Sequence, residues 1–353
     1  MSARTPRGKG TMGSRKHRGL EGLRSLVMAA ALLAAAPLGL AAQGAAAAQA
    51  SPAASAPAAA PSPADRFQAL FDRTGDEGKL VARFVKMSLV TESEEKSGDC
   101  AILTSPEGLV MLVDAGAPEC AEQVERCLDA MGVARLDAIM ASHPHVDHIG
   151  GFARLLEKYS VGRLYTSRLE YPTAVFRGFM AAVKAKGIEV IYLEEGSAFS
   201  FGERVRAEVL NPEPEIRYYE GYPKNGTQFV NDRSLVVKFA YGASSMLFMG
   251  DVYTPREAEL VAKYGERLKA DLVKVGHHGA DTSSSKGFAR AVSPKLAVMM
   301  HDNLASLQVY KNWRKVGSAA YVTCIDGSVK VAGDEAGNWS VLTQSDRQSD
   351  FLP

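Results

Sequence analysis

The amino-acid sequence predicts an α/β fold in which two mixed β-sheets are sandwiched between helices, an αββα arrangement. Three observations predict it. Early apolar segments follow one another as hairpins, whereas later ones alternate with helical patterns. Polar residues recur directly beyond several apolar strands. A histidine-rich stretch occupies residues 142–151, immediately after one such strand. Together they predict one large domain with a site at the rim where strand ends converge.

The predicted strands are short apolar runs bounded by turn residues, and the predicted helices repeat apolar residues three or four apart. The strands cover residues 81–90, 100–104, 109–113, 136–141, 163–166, 189–193, 204–210, 235–241, 246–249, 271–275 and 296–300. The helices cover 119–131, 152–159, 174–186, 256–264 and 309–316. Short strands close the chain.

The N-terminal 64 residues are not expected to join the folded domain. Residues 1–50 begin with basic residues, continue with an apolar run and end in small residues, which is the order of a secretory signal peptide. The alternative is a membrane anchor, but the run over 26–42 is broken by Pro37 and shorter than the ~20 residues of a span. Residues 51–64 are almost entirely Ala, Pro and Ser, which predicts a flexible linker.

These boundaries predict a folded domain over residues 65–353 and a periplasmic or secreted protein without a membrane span after cleavage. The net charge of +1 then changes, because residues 1–50 hold seven basic residues and one acidic residue. The remainder has 34 basic and 39 acidic residues, a net charge of about −5. Since nucleic-acid binding depends on neutralising phosphates, strong bulk binding of nucleic acid is not expected.

The chain contains four cysteines, and export would permit disulfides among them. Cys120 and Cys127 are seven residues apart in a predicted helix, so their Cα atoms would lie ~10 Å apart, too far to bridge. Pairing of either with Cys100 or Cys324 stays open, as does a set of buried free thiols.

The chemistry is concentrated between Ser142 and Gly151. Three of the seven histidines of the chain, His143, His145 and His148, fall within six residues there, together with Asp147. Imidazole is the commonest side-chain metal ligand. Alternate residues such as His143 and His145 can direct two imidazoles at one metal ion, while Asp147 and His148 can turn toward a second.

The remaining polar candidates follow other apolar strands. They are Asp114, Asp251, His277, His278 and His301. A single aspartate after a strand is usually a turn residue, but agreement among several strand ends predicts that these residues share one site.

On these residues the chain resembles the metallo-β-lactamase superfamily. His143-x-His145-x-Asp147-His148 matches that family's metal motif, residues 113–116 match its earlier aspartate, and 249–251 match its bridging aspartate. The stretches Asn-Asp-Arg-Ser-Leu-Val at 231–236 and Val-Lys-Val-Gly-His-His-Gly at 273–279 are most similar to the hydrolase domain of the competence DNA-uptake channel and to phosphorylcholine esterases. The resemblance extends from about residue 80 to the C-terminus.

The resemblance implies two divalent metal ions bound by nitrogen and oxygen atoms. Such ligands suit zinc, and manganese or iron are alternatives. The implied metal ligands are His143, His145, Asp147, His148, Asp251 and His278. Asp114 would orient one of these ligands. His277 would support the site or donate a proton, and it could exchange roles with His278. Asp147, His277 and His301 are the candidate catalytic residues.

Two departures from the family pattern modify this interpretation. No histidine lies between Ile149 and Gly276, where most of the superfamily has one, so the first metal would depend on His143, His145, Asp251 and water, or borrow Asn231 or Asp232. This weakens the case for a β-lactamase or lactonase. The competence branch also has Gly-Asn and His-Pro pairs after its late strand, where this chain has Met-His-Asp-Asn at 300–303. His301 would then be the general acid for the leaving oxygen.

We therefore expect an exported metal-dependent hydrolase, first of all a phosphodiesterase that attacks with a metal-bound hydroxide. Its partner would be a small-molecule or polymeric phosphodiester. The alternatives are a carboxyl-ester, lactone or lactam hydrolase of the same fold, and a secreted binding protein with a vestigial metal site. The sequence leaves the substrate, the metal and the oligomeric state open.

Overall fold

A computed structural model describes residues 61–89, 96–216 and 226–347. The predicted signal peptide and most of the predicted linker lie outside these residues. The first helix begins at Pro63, where we had placed the linker, because the Ser62 side chain accepts the backbone N–H of Asp65 and the Asp65 carboxylate accepts that of Ser62. This reciprocal cap fixes the start of the helix. None of the helices in the described ranges is long and apolar enough to cross a bilayer.

The strands of the described residues agree closely with the predicted ones, and most differ by one or two residues at their ends. In chain order they are β1 (Lys79–Phe84), β2 (Ala101–Thr104), β3 (Val110–Val113), β4 (Arg135–Leu136), β5 (Ala138–Met140), β6 (Ser160–Val161), β7 (Arg163–Thr166), β8 (Glu189–Tyr192), β9 (Ala198–Phe201), β10 (Val205–Asn211), β11 (Val236–Tyr241), β12 (Ser244–Phe248), β13 (Leu272–Lys274), β14 (Leu296–Met299), β15 (Ala319–Val322), β16 (Val329–Asp334) and β17 (Trp339–Thr343).

The helices of the same residues surround these strands. They are α1 (Pro63–Phe71), α2 (Ala121–Ala130), α3 (Val146–Ile149), α4 (Phe152–Lys158), α5 (Ala174–Ala185), α6 (Thr227–Asn231), α7 (Thr254–Tyr264), α8 (Lys286–Val292), α9 (Leu307–Lys315) and α10 (Thr323–Asp326). Short 3₁₀ turns cover Pro118–Cys120, Gly265–Leu268 and Gly276–Gly279.

The strands form two large mixed sheets, which confirms the predicted fold class. The first sheet has the order β17-β16-β1-β2-β3-β5-β7-β8 and the second has β15-β14-β13-β12-β11-β10-β9, while β4 and β6 pair separately. Strands β3, β5, β7 and β8 run parallel to one another, as do β12, β13, β14 and β15. Parallel strands bring their carboxyl ends to one edge, and this edge carries the polar residues named above.

Both sheets are covered on two faces, which explains why their central strands are continuous apolar runs. Along β3, Val110 and Leu112 face the helices while Met111 and Val113 face the second sheet. The first helical layer consists of α1, α2, α4 and α5, and the second of α7, α8 and α9. Between the sheets, the rings of Phe84 and Phe248 stack with centroids 6.0 Å apart.

Several short elements, among them β9 and α3, escaped the sequence prediction, and the end of β1 was misplaced. Strand β9 is an edge strand of four residues, in which Phe199 and Phe201 face the core, and so short a run gives only a weak strand signal. Helix α3 is a single turn inside the histidine stretch. Strand β1 ends at Phe84, before the predicted limit of 90. The four cysteines are free thiols, and Cys100, Cys120 and Cys127 are buried in the apolar cluster under the first helical layer.

Candidate metal centre

The histidine stretch changes conformation in its middle, and this change directs its side chains. The chain bends over residues 142–144 after β5, His145 has the extended dihedrals φ −69° and ψ 151°, and α3 then begins at Val146. His143 Nε2 consequently lies 2.9 Å from His145 Nδ1. Asp147 and His148 follow on the helical turn, where Asp147 Oδ2 lies 3.9 Å from His148 Nε2 and the His148 ring centroid lies 4.0 Å from that of His143.

Asp251 reaches the same point from the second sheet. Its Oδ2 lies 3.2 Å from His148 Nε2, 3.2 Å from His278 Nε2 and 3.9 Å from His143 Nε2. The chain turns into this position at Gly250, which has φ +50°, and a Cβ there would stand 2.4 Å from Cβ of Ser234. One carboxylate oxygen thus lies between three imidazole nitrogens.

The structure separates the two adjacent histidines after β13. His278 Nε2 lies 3.1 Å from Asp147 Oδ2, whereas His277 Nδ1 is hydrogen-bonded to the Thr282 hydroxyl and its ring packs 4.8 Å from that of Tyr253. Both histidines have left-handed φ angles, 45° and 55°, which non-glycine residues rarely adopt. Such backbone conformations persist where the surrounding structure imposes them. His278 therefore faces the other ligand candidates, whereas His277 contacts Tyr253 and Thr282.

Two carboxylates orient the imidazoles from outside. Asp114 Oδ2 lies 2.9 Å from His148 Nδ1, and Asp99 Oδ1 lies 3.0 Å from His278 Nδ1. Asp114 also accepts the backbone N–H and the hydroxyl of Ser142 at 2.8 and 2.7 Å. A carboxylate at Nδ1 leaves Nε2 free to bind a metal ion and makes it a stronger donor. Asp114 was predicted in this role, but Asp99 was missed because it precedes its strand.

Lys274 is the second residue that the sequence analysis missed. It is buried on β13, pairs with Asp99, donates to the carbonyl oxygen of Gly250 at 3.1 Å, and lies 3.8 Å from Asp251 Oδ1. A lysine inside an otherwise apolar strand was the available signal, since lysine is almost never buried unless it is paired. The segment carrying Asp99 lies directly on the histidine stretch: a Cβ on Gly98 would stand 1.6 Å from the carbonyl oxygen of Asp147.

The electrostatics of the site favour a cation. Four carboxylates, from Asp99, Asp114, Asp147 and Asp251, lie around the histidines, and the buried Lys274 lies next to Asp99 and Asp251. Burial lowers the pKa of His148, but the carboxylates of Asp251, Asp114 and Asp147 outweigh it and raise that pKa to about 10. Burial raises the pKa of Asp251, yet the neighbouring histidines hold it well below its usual value.

The donor set fits a divalent metal ion. One ligand atom from each of Asp99, His148, Asp251 and His278 lies within 4.8 Å of the others. Asp251 Oδ1 is buried and has no hydrogen-bond partner among the described residues. Imidazole nitrogens and carboxylate oxygens without a thiolate are typical of zinc and of other transition-metal sites. Because Asp99 already contacts His278 Nδ1, we assign it to orienting that ligand. Asp147 contacts His278 Nε2 and is more exposed to solvent than Asp99.

The other end of the site is built differently. Buried Asn231 faces the half-buried His145, and its Oδ1 has no other hydrogen-bond partner in the described part of the chain. The Asp232 carboxylate is directed away and accepts the backbone N–H of Tyr253 at 3.0 Å. Of the two predicted substitutes for the absent histidine, Asn231 is the one beside the site. We call Asp147, His148, Asp251 and His278 the carboxylate half, and His143, His145 and Asn231 the amide half.

His301 lies at the rim, beside the carboxylate half. Its ring centroid is 5.8 Å from that of His278, and its Nδ1 accepts the backbone N–H of Asn303 at 3.1 Å. With Nδ1 acting as acceptor, the neutral ring carries its proton on Nε2. Burial, followed by the nearby His278 and Lys96, lowers the pKa of His301. The next residue, Asp302, accepts the backbone N–H of Ser97 at 2.9 Å and so ties the rim to the segment of Asp99.

The profile described as "Metallo-beta-lactamase superfamily" matches residues 94–301, which is more than half of the chain. The chain belongs to the metallo-beta-lactamase superfamily. Its fold is therefore that of a superfamily of metal-dependent hydrolases, and the His/Asp cluster lies within the matched residues.

Curated relatives confirm the resemblance to the competence branch. The chain is 32% identical over 189 residues to Competence protein ComA of Neisseria gonorrhoeae, covering 53% of this chain and 23% of that protein. It is 28% identical over 172 residues to ComE operon protein 3 of Bacillus subtilis, covering 49% and 21%. A further match is a Hydroxyacylglutathione hydrolase of Crocosphaera subtropica, 29% identical over 152 residues and covering 42% and 51%. The chain thus spans about a quarter or less of the two competence relatives.

Solved structures match more loosely. The metallo-beta-lactamase fold protein YhfI from Bacillus subtilis is 12% identical, with 74% of this chain and 99% of that chain covered and a TM-score of 0.44. A diphosphatase from the PhnP family is 14% identical, with 62% and 85% covered and a TM-score of 0.36.

Proposed function

We propose that this protein is a metal-dependent phosphodiesterase. The observation that carries the proposal is the difference between the two halves of the site. The carboxylate half offers His148, His278, Asp251 and Asp147 to one ion. In the amide half, His143 Nε2 lies 3.9 Å from Asp251 Oδ2, and His145 has the neutral amide of Asn231 as its neighbour. Few protein atoms of the amide half would hold a second ion, which would leave room there for the anionic oxygens of a phosphodiester.

In this proposal, different residues of the chain orient the metal ligands and act on the leaving group. Two divalent ions, when bound, supply Lewis acidity and lower the pKa of water. Asp114 and Asp99 hold the His148 and His278 rings in place through their Nδ1 atoms. His301, whose Nε2 carries the proton when the ring is neutral, donates a hydrogen bond from Nε2 to the leaving oxygen at the rim and stabilises the negative charge that develops there.

Substrate selection tests the proposal directly. We expect the metal-loaded protein to hydrolyse bis-p-nitrophenyl phosphate faster than p-nitrophenyl acetate, nitrocefin or p-nitrophenyl phosphorylcholine. Turnover confined to nitrocefin or to the carboxyl ester would overturn it. Metal analysis of the purified protein accompanies the panel, since a chain that retains no metal would instead be a binding protein with a vestigial site.

A hydrolase of carboxyl or thiol esters is the second candidate. The match to a Hydroxyacylglutathione hydrolase, which acts on the compound in its name, supports it. The absence of histidines between Ile149 and Gly276 counts against it, because the resemblance implies a further histidine in such enzymes. S-lactoylglutathione added to the panel separates this candidate from the first.

We also propose that the protein is exported and that residues 1–50 are removed. The support is the order of basic, apolar and small residues in that segment. Cell fractionation combined with N-terminal sequencing tests it: an intact N-terminus on cytoplasmic protein would contradict export, and an intact N-terminus in the membrane fraction would indicate an anchor.

A further inference from the structure

A cavity of about 720 Å³ opens beside the amide half and takes no part in the mechanism above. It lies between the loop after β7, the first turns of α5 and the end of β8. The lining residues that matter here are Arg168, Tyr171, Phe176, Arg177, Met180 and Tyr192. Ligand pockets in proteins measure ~300–1,000 Å³ and combine apolar walls with a few polar groups, as this cavity does.

Tyr171 connects the cavity to the metal centre. Its ring stands edge-on to that of His145 with centroids 5.4 Å apart, and the same residue lines the cavity. A substrate whose reacting group lies at the amide half would therefore extend into this cavity with its next group.

The charge of the cavity restricts what that group is. The Arg168 guanidinium lies 4.6 Å from the centroid of the Tyr192 ring, which is 42% exposed. Arg177 donates to the carbonyl oxygen of Pro172 at 2.6 Å. Neither arginine forms an ion pair within the described ranges of the chain, and Glu170 is the acidic residue of the lining. Two guanidinium groups against one carboxylate give the cavity a positive charge.

This combination matches one ligand chemistry. Guanidinium groups bind phosphate or carboxylate oxygens through several N–H donors and also stack on flat rings. Tyrosine rings and apolar side chains accommodate an aromatic ring. A cationic head group such as choline would meet two like charges instead.

We propose that the cavity binds the non-reacting part of the substrate, as an aromatic group that carries its own negative charge. The assignment of this group to a substrate rests on the proposed phosphodiesterase function. The binding of an anionic aromatic group by Arg168, Arg177 and Tyr192 does not depend on hydrolysis.

Calorimetric titration of the metal-loaded protein tests the proposal with thymidine 3′,5′-bisphosphate and thymidine 5′-monophosphate. The first probe has one phosphate for the metal centre and a second for the cavity. We expect the bisphosphate to bind about tenfold more tightly than the monophosphate. The double variant Arg168→Gln/Arg177→Gln should bring the ratio of these two dissociation constants close to one. The matched control Arg163→Gln/Lys184→Gln removes two exposed cations from β7 and α5 that do not line the cavity, and it should keep the ratio.

Fructose 1,6-bisphosphate, which has two phosphates and no aromatic ring, tests the aromatic part and should bind about tenfold more weakly than the thymidine bisphosphate. Equal affinities for the two bisphosphates, a ratio near one in the unmodified protein, or a ratio that the arginine variant keeps would each overturn the proposal. Hydrolysis of bis-p-nitrophenyl phosphate is measured in parallel. If it is absent while the binding ratios hold, the phosphodiesterase assignment fails and the cavity assignment stands.

Discussion

The two halves of the metal centre use the same side chain, imidazole, in different surroundings. In the carboxylate half, His148 and His278 each have an aspartate at Nδ1, at 2.9 and 3.0 Å. In the amide half, His143 Nδ1 lies 3.1 Å from the Ser142 hydroxyl, and His145 neighbours the neutral amide of Asn231. A carboxylate at Nδ1 strengthens the imidazole as a ligand, so the halves differ in the metal affinity they can support. On the proposed function, the carboxylate half would hold its ion more tightly than the amide half.

The shared ligand gives the largest expected effect. Asp251→Ala removes the oxygen that lies near three imidazoles, so hydrolysis and metal binding should both be lost, and His148→Ala should have the same consequence. Turnover and bound metal are measured together with the far-ultraviolet circular dichroism, which should not change. The control is Asp281→Ala, an exposed aspartate in the loop after the His-His pair. Retention of full turnover in Asp251→Ala would remove the basis for treating the two halves as one site.

Replacement of Lys274, the buried cation next to the carboxylate half, should give the second-largest effect, which is a loss of stability. Lys274→Met leaves Asp99 Oδ2 buried without its cation, while Oδ1 keeps its contact with His278, and breaking a buried pair in this way costs about 3–5 kcal/mol of unfolding free energy. Denaturant unfolding of the metal-free protein measures it. Lys269→Met, which removes an exposed lysine paired with Glu266, should cost about 0–1 kcal/mol. Equal losses would show that Lys274 does not hold the carboxylates in place.

Replacement of Asp114, which orients His148, tests whether the two halves differ in metal affinity. Asp114→Asn keeps the shape of the side chain but weakens the acceptor at His148 Nδ1, so the tight position should lose metal affinity by about 10–100-fold. Competition with a chromophoric zinc chelator resolves the two positions. Asn231→Ala is the matched change in the amide half, and it should alter the loose position alone. The comparison fails if both variants weaken the same position.

The smallest effect comes from supplying the histidine that this chain lacks. Asn231→His places an imidazole beside His145 and should raise the affinity of the loose position by about tenfold, with the tight position unchanged. Thermal unfolding checks that the larger ring is accommodated, and Asn231→Asp repeats the test with a side chain of the original size. An unchanged affinity in both stable variants would mean that residue 231 does not adjoin a metal ion.

Prediction from sequence succeeded where contacts are local. The closeness of His143, His145, Asp147 and His148 follows from their spacing, because six consecutive residues cannot place their side chains far apart, but the helical turn of α3 was not predicted. The alternation of apolar strands with helices likewise predicted both sheets, since strands buried on two faces are continuous apolar runs. The superfamily resemblance rested on these same residues, and the profile match confirmed it.

Contacts between distant parts of the chain were decided by tertiary structure. Sequence left His277 and His278 interchangeable, and their left-handed backbone, held by the packing after β13, turns His278 toward Asp147 across a separation of 131 residues. Asp99 and Lys274 join the first sheet to the second and have no sequence motif in common.

The sequence by itself therefore determined the ligand types, their local spacing and the class of fold. The tertiary structure decided which imidazoles receive a carboxylate at Nδ1, and it brought the arginine-lined cavity next to His145. The physical reason is that local geometry is set by backbone dihedrals over a few residues. The surroundings of each ligand depend instead on how two sheets stack and which buried charges they bring together.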